Sequence, residues 1–469
     1  MPAPDTSRLQ SAQSHSSRRV EFAFDGGYIS SDGGALLVRE VLEQSGIAQD
    51  MANCFVDTRN QDFVEFSVAE LLSQRLIGLI QGYEDLNDHD RLRVDPVLAL
   101  AVGREDILGH DRRQPEDYGK PLAGKSTLNR LELSAEPATK SSRYHKIAVD
   151  MERLELLLLD TFILEHAQSP KELWLDLDTT DFALHGEQED RHFNRYYDHY
   201  CYTPLYIMCG DFPLVSRLRS SRIAPSTDIV DHLRPVVTRL RAKWPDVRIV
   251  IRADSGFCCD ALLSYCEESG VEYLVGLATN PRLKAIVQED MELVRAESKP
   301  GELHPPRAFS SFQYKTQNSW TRDREVIARL EWAGEKPNAR FVVTNLPKTE
   351  ATAEKLYEEG YCQRALMENH LKEQQLDLFA SRMSTQVKAS NQLRLMFSTF
   401  ASVVMRMVRR VALAGTSLSK ATTSTIRSRL LKIGTVIKVS TRRILLSFAS
   451  AFPNAWVFEA AMRRMTLSV

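Results

Sequence analysis

The sequence predicts an α/β protein with more than one domain. Three observations carry this. The chain has 469 residues, more than one hydrophobic core normally serves. From about Lys171 onward, strand-like and helix-like segments alternate, the pattern of a layered α/β domain. On either side of that stretch the apolar spacing is helical.

Residues 1–19 are polar and Ser-rich and predict a disordered tail. Val20 to Leu37 holds Phe22, Phe24, Tyr28 and Ile29 around Gly26-Gly27, which reads as a short hairpin. Residues 20–167 are otherwise mainly helical, with apolar residues at helical spacing in Val64–Tyr83 and Tyr144–His166. Leu173–Asp178, PLYIMCG and FPLVSRL read as strands, Asp228–Lys243 as a helix, and Val247–Asp254 as a strand. Cys258–Ser269 is a helix and VEYLVGL a strand. These place an α/β core in residues 168–280 and 347–390. Alternating segments in 281–346 (FSSFQYKT, REVIARLEW, ARFVVTNL) predict a β-rich antiparallel insertion. Residues 391–469 read as a basic helical C-terminal region.

Composition excludes several classes. There is no uncharged apolar run of eighteen residues, so a membrane-spanning helix is not expected. The first nineteen residues lack an apolar segment, against a secretory signal. Seven scattered cysteines without a C-x-x-C pair argue against a disulfide framework or structural zinc, and a reducing cytoplasm is expected. The net charge of −2 hides an asymmetry. From Asn391 onward Glu459 is the only acid, and this block carries +12, leaving −14 on the rest. Such a block suits a polyanion, and equally a surface that docks on an acidic body.

Gly119 to Ser126 satisfies the phosphate-loop pattern G-x-x-x-x-G-K-[ST]. That loop needs a preceding buried strand to aim its amides. GHDRRQPEDY precedes it instead. The segment is better read as a loop ending at Gly124, with Ser126 or Thr127 capping the next helix. No nucleotide cofactor is expected.

The acidic residues are more informative. In Leu173–Asp178 the three Leu residues share one strand face; Trp174, Asp176 and Asp178 share the other. Asp254 ends a second apolar strand, before Ser255-Gly256 and a new helix. Ligand sites in open α/β sheets collect at such carboxyl ends. At about 100° per residue, a helix over Tyr361–Gln375 puts Tyr361, Arg364, Glu368, Lys372 and Gln375 on one stripe. A solvated face with an Arg364–Glu368 pair has the same spacing.

Asp178-Thr179-Thr180, Asp254 in a strand-turn-helix and Tyr361-x2-Arg364-x3-Glu368 together resemble the DDE transposases of bacterial insertion sequences. The resemblance is to the group with an RNase H-like catalytic core and a Y-R-E-K signature, transposase DDE domain group 1. It extends from Leu173 to about Ser381 and includes DHYCYTPLYIMCGD, RADSGF and RFVVTNLP. The signature Lys falls on Gln375, and Lys372, on the same stripe, is the candidate replacement.

The resemblance implies cleavage at insertion-sequence ends and strand transfer into target DNA. A cleaving nuclease or resolvase that does not join, and a catalytically silent DNA-binding descendant, remain the alternatives. It implies Asp178, Asp254 and Glu368 as catalytic and metal-binding residues, with Asp176 the rival of Asp178 for bridging two Mg²⁺ ions; Mn²⁺ is expected to replace Mg²⁺. DNA contacts are expected from Tyr361, Arg364, Lys372, Trp320 (or Trp332) and, in the basic block, Arg406, Arg409 and Arg410. The implied partners are double-stranded DNA, as terminal inverted repeats and target, and a second copy in the DNA complex. End recognition is expected from the helical N-terminal region, and the location is the bacterial cytoplasm, at the nucleoid.

Overall fold

The computed structural model describes residues 10–15, 18–135, 145–299, 305–333, 336–347 and 351–467. The chain divides into two compact units, Asp150–Thr399 and a unit made of Met1–Val149 with Phe400–Val469. The sequence reading kept the N- and C-terminal regions apart, whereas here they form one unit.

In the Asp150–Thr399 unit, α1 (Met151–Leu164) starts on Asp150, whose side chain accepts the Arg153 N–H. The predicted helix from Tyr144 is shorter. Tyr144 lies outside the described residues, and Ile147–Val149 is a strand paired with Phe55–Asp57. Then come β1 (Glu172–Thr179), β2 (Leu205–Cys209), β3 (Phe212–Arg217), α2 (Ile229–Lys243), β4 (Arg248–Ala253), α3 (Asp260–Glu268) and β5 (Glu272–Leu277). The insertion supplies β6 (Arg307–Tyr314), β7 (Arg324–Ala333) and β8 (Lys336–Thr344), and α4 (Ala365–Asp377) follows.

The sheet order is β3-β2-β1-β4-β5-β8-β7-β6. β1, β4 and β5 are parallel; the remaining pairings are antiparallel. This mixed α/β sheet is consistent with an RNase H-like core. Residues 281–346, expected to be β-rich, begin with two helices, Pro281–Ile286 and Gln288–Glu297, and their antiparallel strands extend the core sheet to eight. Leu173, Leu175 and Leu177 are buried on one face of β1, and Asp176 and Asp178 are buried on the other. α4 is fixed by Met367 and Leu371, which pack in one cluster with Tyr206 and Met208 of β2.

In the other unit, helix Val68–Gln81 begins at Ser67 with a reciprocal Ser67–Glu70 capping box, and a left-handed Gly82 ends it. Helix Lys125–Glu132 starts after Gly124, which has no side-chain cap. Asp90 takes the expected role of Ser126 or Thr127. It accepts the Lys125 N–H at 3.1 Å and pairs with the Lys125 ammonium at 3.3 Å. A short 3-10 turn, Pro115–Asp117, precedes this loop rather than a strand.

Three terminal expectations change. Gln10–His15 and Arg18–Phe22 form an antiparallel pair where disorder was expected. Tyr28–Ser30 pairs with Thr435–Ile437, not with Val20–Phe22. The basic block is not wholly helical: Thr435–Ser440 and Arg443–Phe448 form a hairpin. Its arginines are largely engaged within the unit. Arg406 is buried. Arg409 donates to Ala421 O at 2.8 Å and Thr423 Oγ1 at 3.0 Å. Arg427 donates to Ile80 O at 2.6 Å. Of Arg406, Arg409 and Arg410, only Arg410 is exposed. Burial therefore removes Arg406 from the expected DNA face, and its bonds to Ala421 and Thr423 commit Arg409 to the fold.

Candidate active site

Parallel register brings the first two carboxylates together. Ala253 pairs with Leu177 and Arg252 with Asp176. The next residues along, Asp254 and Asp178, are thus neighbours at the carboxyl ends of β4 and β1, where strands lie about 4.8 Å apart. Asp178 is 8% exposed, so it is more enclosed than a strand-mouth position suggests. Its carboxylate accepts the Thr179 N–H at 2.9 Å and the Arg364 guanidinium at 3.1 Å. Burial pushes its pKa up to about 6; Arg364 opposes, Asp254 raises it, the Thr179 amide opposes, and Glu368 raises it. Asp254 accepts the Gly256 N–H at 2.8 Å and caps the turn Ser255–Phe257.

The third carboxylate arrives by an irregular path. The chain forms a π turn over Leu356–Gly360, a 3-10 turn over Tyr361–Arg364, and only then α4. The uniform helical stripe over 361–375 is therefore wound unevenly. Arg364 nevertheless reaches Glu368, at 3.7 Å, as well as Asp178. Burial works against the Arg364 charge, but Asp178, Tyr361, Asp254 and Glu368 together raise its pKa.

Arg252 was missed by sequence reasoning. Its guanidinium grips both oxygens of Asp176, at 2.6 and 2.8 Å, and donates to Gly360 O at 3.0 Å. It also lies over the Trp174 ring. Asp176 is buried and bidentately matched by Arg252. Arg252 ties β1 and β4 to the segment that delivers Tyr361, Arg364 and Glu368. The available signal was a charge two residues before each terminal Asp, inside the otherwise apolar stretches Leu173–Asp178 and Ile249–Asp254.

Close packing holds Tyr361. A Cβ on Gly276 would lie 2.7 Å from Tyr361 Oη and 2.9 Å from the Ser255 N. Gly276→Ala is therefore expected to displace Tyr361 and the Asp254 turn. Cleavage should fall on the order of 10²-fold, the cost of about 1 Å of misplacement, with DNA affinity retained. Single-turnover cleavage alongside a binding titration checks this.

Other expected contacts divide. Lys372 is exposed on α4, while Gln375 donates to Thr180 Oγ1 at 2.8 Å. Trp320 is 5% exposed, edge-on to Tyr314 and under Arg324, which leaves no open ring face for a base. Arg295 covers Trp332.

The donor set of Asp178, Asp254 and Glu368 is hard oxygen, as Mg²⁺ requires. A buried Asp178 destabilised by two neighbouring carboxylates fits a divalent ion in chemistry. Among the described residues, no three His, Cys, Asp or Glu side chains are gathered closely enough to hold a metal.

The chain matches the family transposase DDE domain group 1 over residues 12–468. It belongs to that family. DNA transposition is the function of the family, and its members use divalent metal ions. Among solved structures the chain is similar to piggyBac transposase in a synaptic complex with hairpin DNA. Identity is 12% and the TM-score 0.39, over 85% of this chain and 80% of that one. No curated protein matches the chain. In this DDE transposase, no helix among the described residues is long and apolar enough to cross a membrane.

Proposed function

We propose that Asp178, Asp254 and Glu368 are the catalytic carboxylates of a transposase that cuts DNA at the ends of its element and joins them to target DNA. The supporting observation is the β1–β4 register, which sets Asp178 beside Asp254 while Arg364 links Asp178 to Glu368. The three carboxylates would hold two Mg²⁺ ions, which when bound supply activation of the attacking oxygen and stabilisation of the leaving one. Asp178 brings the most enclosed charge to that set. The fork of Arg364 fits a phosphate oxygen pair, and Tyr361, packed on Gly276, borders the same end of the sheet. Lys372 extends this surface along α4. The substrate is double-stranded DNA, bound by two copies at the nucleoid.

Incubating the protein with a labelled duplex carrying its element end, target plasmid and Mg²⁺ tests this. Asp178→Ala, Asp254→Ala and Glu368→Ala are each expected to lose cleavage by about 10³-fold or more, the scale for removing one group from a preorganised charged site. DNA binding should persist. Near-normal cleavage by any of the three removes that residue from the set. Cleaved but unjoined ends with the wild type would leave a nuclease in place of a transposase.

A further inference from the structure

A second feature lies at the same end of the sheet. A cavity of about 670 Å³ is lined by Arg219, Arg222, His232 and Lys388, among others. Arg219 is 4% exposed. Its Nη1 donates to two carbonyls, Pro225 O at 3.2 Å and Thr227 O at 3.1 Å, and its Nε has no partner. A buried charge is costly unless paired, and among the described residues no carboxylate is within ion-pair distance of Arg219. The acids that line the cavity do not supply one. Asp190 is held by Lys388 at 2.8 Å, and Glu189 accepts the Lys388 N–H at 3.1 Å. Asp228 is exposed, with its backbone in the left-handed region, and its charge acts on Arg219 only from beyond ion-pair distance. Arg217, also on the wall, is matched by Glu155 at 2.5 Å, while Arg222 is exposed with its charge at the rim. Burial first, then Arg217 and more weakly Arg219, push the His232 pKa down, with Asp228 opposing. The N-terminus of α2, which follows Asp228, opens on the same space, and such ends favour anions.

Strand pairing fixes the distance to the candidate active site. Arg217 pairs with Leu205, and Leu205 with Thr179, the neighbour of Asp178. Arg217, on the cavity wall, is therefore two strand spacings from Thr179, about 10 Å. The loop that closes the cavity also reaches the Asp254 turn, because Pro225 lies against Gly256.

We propose that this cavity, with Arg219 at its base and Arg222 at its rim, binds a backbone phosphate of the DNA close to the reacting position. The proposal rests on the transposase reading, and its test reads binding rather than cleavage. Two measurements are made on the full chain: the thermal midpoint in inorganic phosphate against chloride at equal ionic strength, and duplex affinity as a function of salt. Phosphate should raise the wild-type midpoint and leave that of Arg219→Gln unchanged. Losing one phosphate contact should flatten the log–log salt slope by about 0.9 in Arg219→Gln, and likewise in Arg222→Gln. Arg222 is exposed, so its variant keeps the test open should Arg219→Gln fail to fold. Asp178→Ala should lose cleavage with its slope intact, which separates failure here from failure of the catalytic assignment. A phosphate response lost in the variants with unchanged salt slopes would mean a free-phosphate site and overturn the DNA assignment. No phosphate response and no slope change would overturn the site altogether.

Discussion

Asp178→Asn is expected to abolish DNA cleavage and, above pH 6, to make the protein more stable. The carboxyl is buried, and burial together with Asp254 and Glu368 lifts its pKa from 3.8 to about 6 despite Arg364. A carboxyl whose folded pKa exceeds its unfolded value holds its proton more tightly in the folded state. Its ionisation therefore costs stability. The cost is absent below pH 3.8, grows as pH rises through the window to about 6, and is complete above it. Two pKa units correspond to about 3 kcal/mol, an upper value because Asn leaves Arg364 with a weaker partner. Asn keeps the shape and removes the charge, so the variant should melt several degrees higher at pH 8. That advantage should shrink toward pH 4. Divalent cations should raise the wild-type midpoint by mass action and the variant's much less. A variant less stable than wild type at pH 8, or a gap that ignores pH, would show that the Asp178 charge is not strained.

The parts of this site that were legible in sequence are those with local signals. The alternation of Leu173, Leu175 and Leu177 against Trp174, Asp176 and Asp178 survives in β1 because a strand's side-chain period is two. Asp254 is legible because an apolar strand ends there in a turn. Tyr28–Ser30 was assigned the wrong partner because its neighbour, Thr435–Ile437, is some 400 residues away, and nothing local encodes it. The Thr435–Ser440 strand carries two conflicting signals. Arginines three or four apart imply a helix, while the run Thr435, Val436, Ile437, Val439 is β-branched, as strands favour. The uneven winding before α4 was hidden because Gly360 is pinned from outside, by Arg252 on its carbonyl and by Leu274 against its Cα. Tertiary contacts of that kind override helical periodicity.

Arg252→Ala is expected to destabilise this unit by about 3–5 kcal/mol, the range for stranding one member of a buried pair. Arg252 and Asp176 are both buried, and two short bonds join them. Burial raises the Asp176 pKa even with Arg252 opposing, so an unpaired Asp176 would take up a proton or open the strands. Asp176→Ala should cost a similar amount by leaving the guanidinium alone. Replacing both by apolar residues of like volume, Asp176→Leu with Arg252→Met, should recover much of that stability, because neither charge is then left unmatched. It should not recover cleavage, since the Gly360 carbonyl loses its anchor and the segment bearing Tyr361, Arg364 and Glu368 is released. Urea denaturation of the two single variants and the double variant measures the coupling. Asp176→Asn, which keeps Arg252 on the Gly360 carbonyl, separates Asp176 from the metal set. As a structural partner, Asp176 can lose its charge while divalent cations still raise the thermal midpoint. Were it a ligand, that response would vanish along with the carboxylate, as it should in Asp178→Asn.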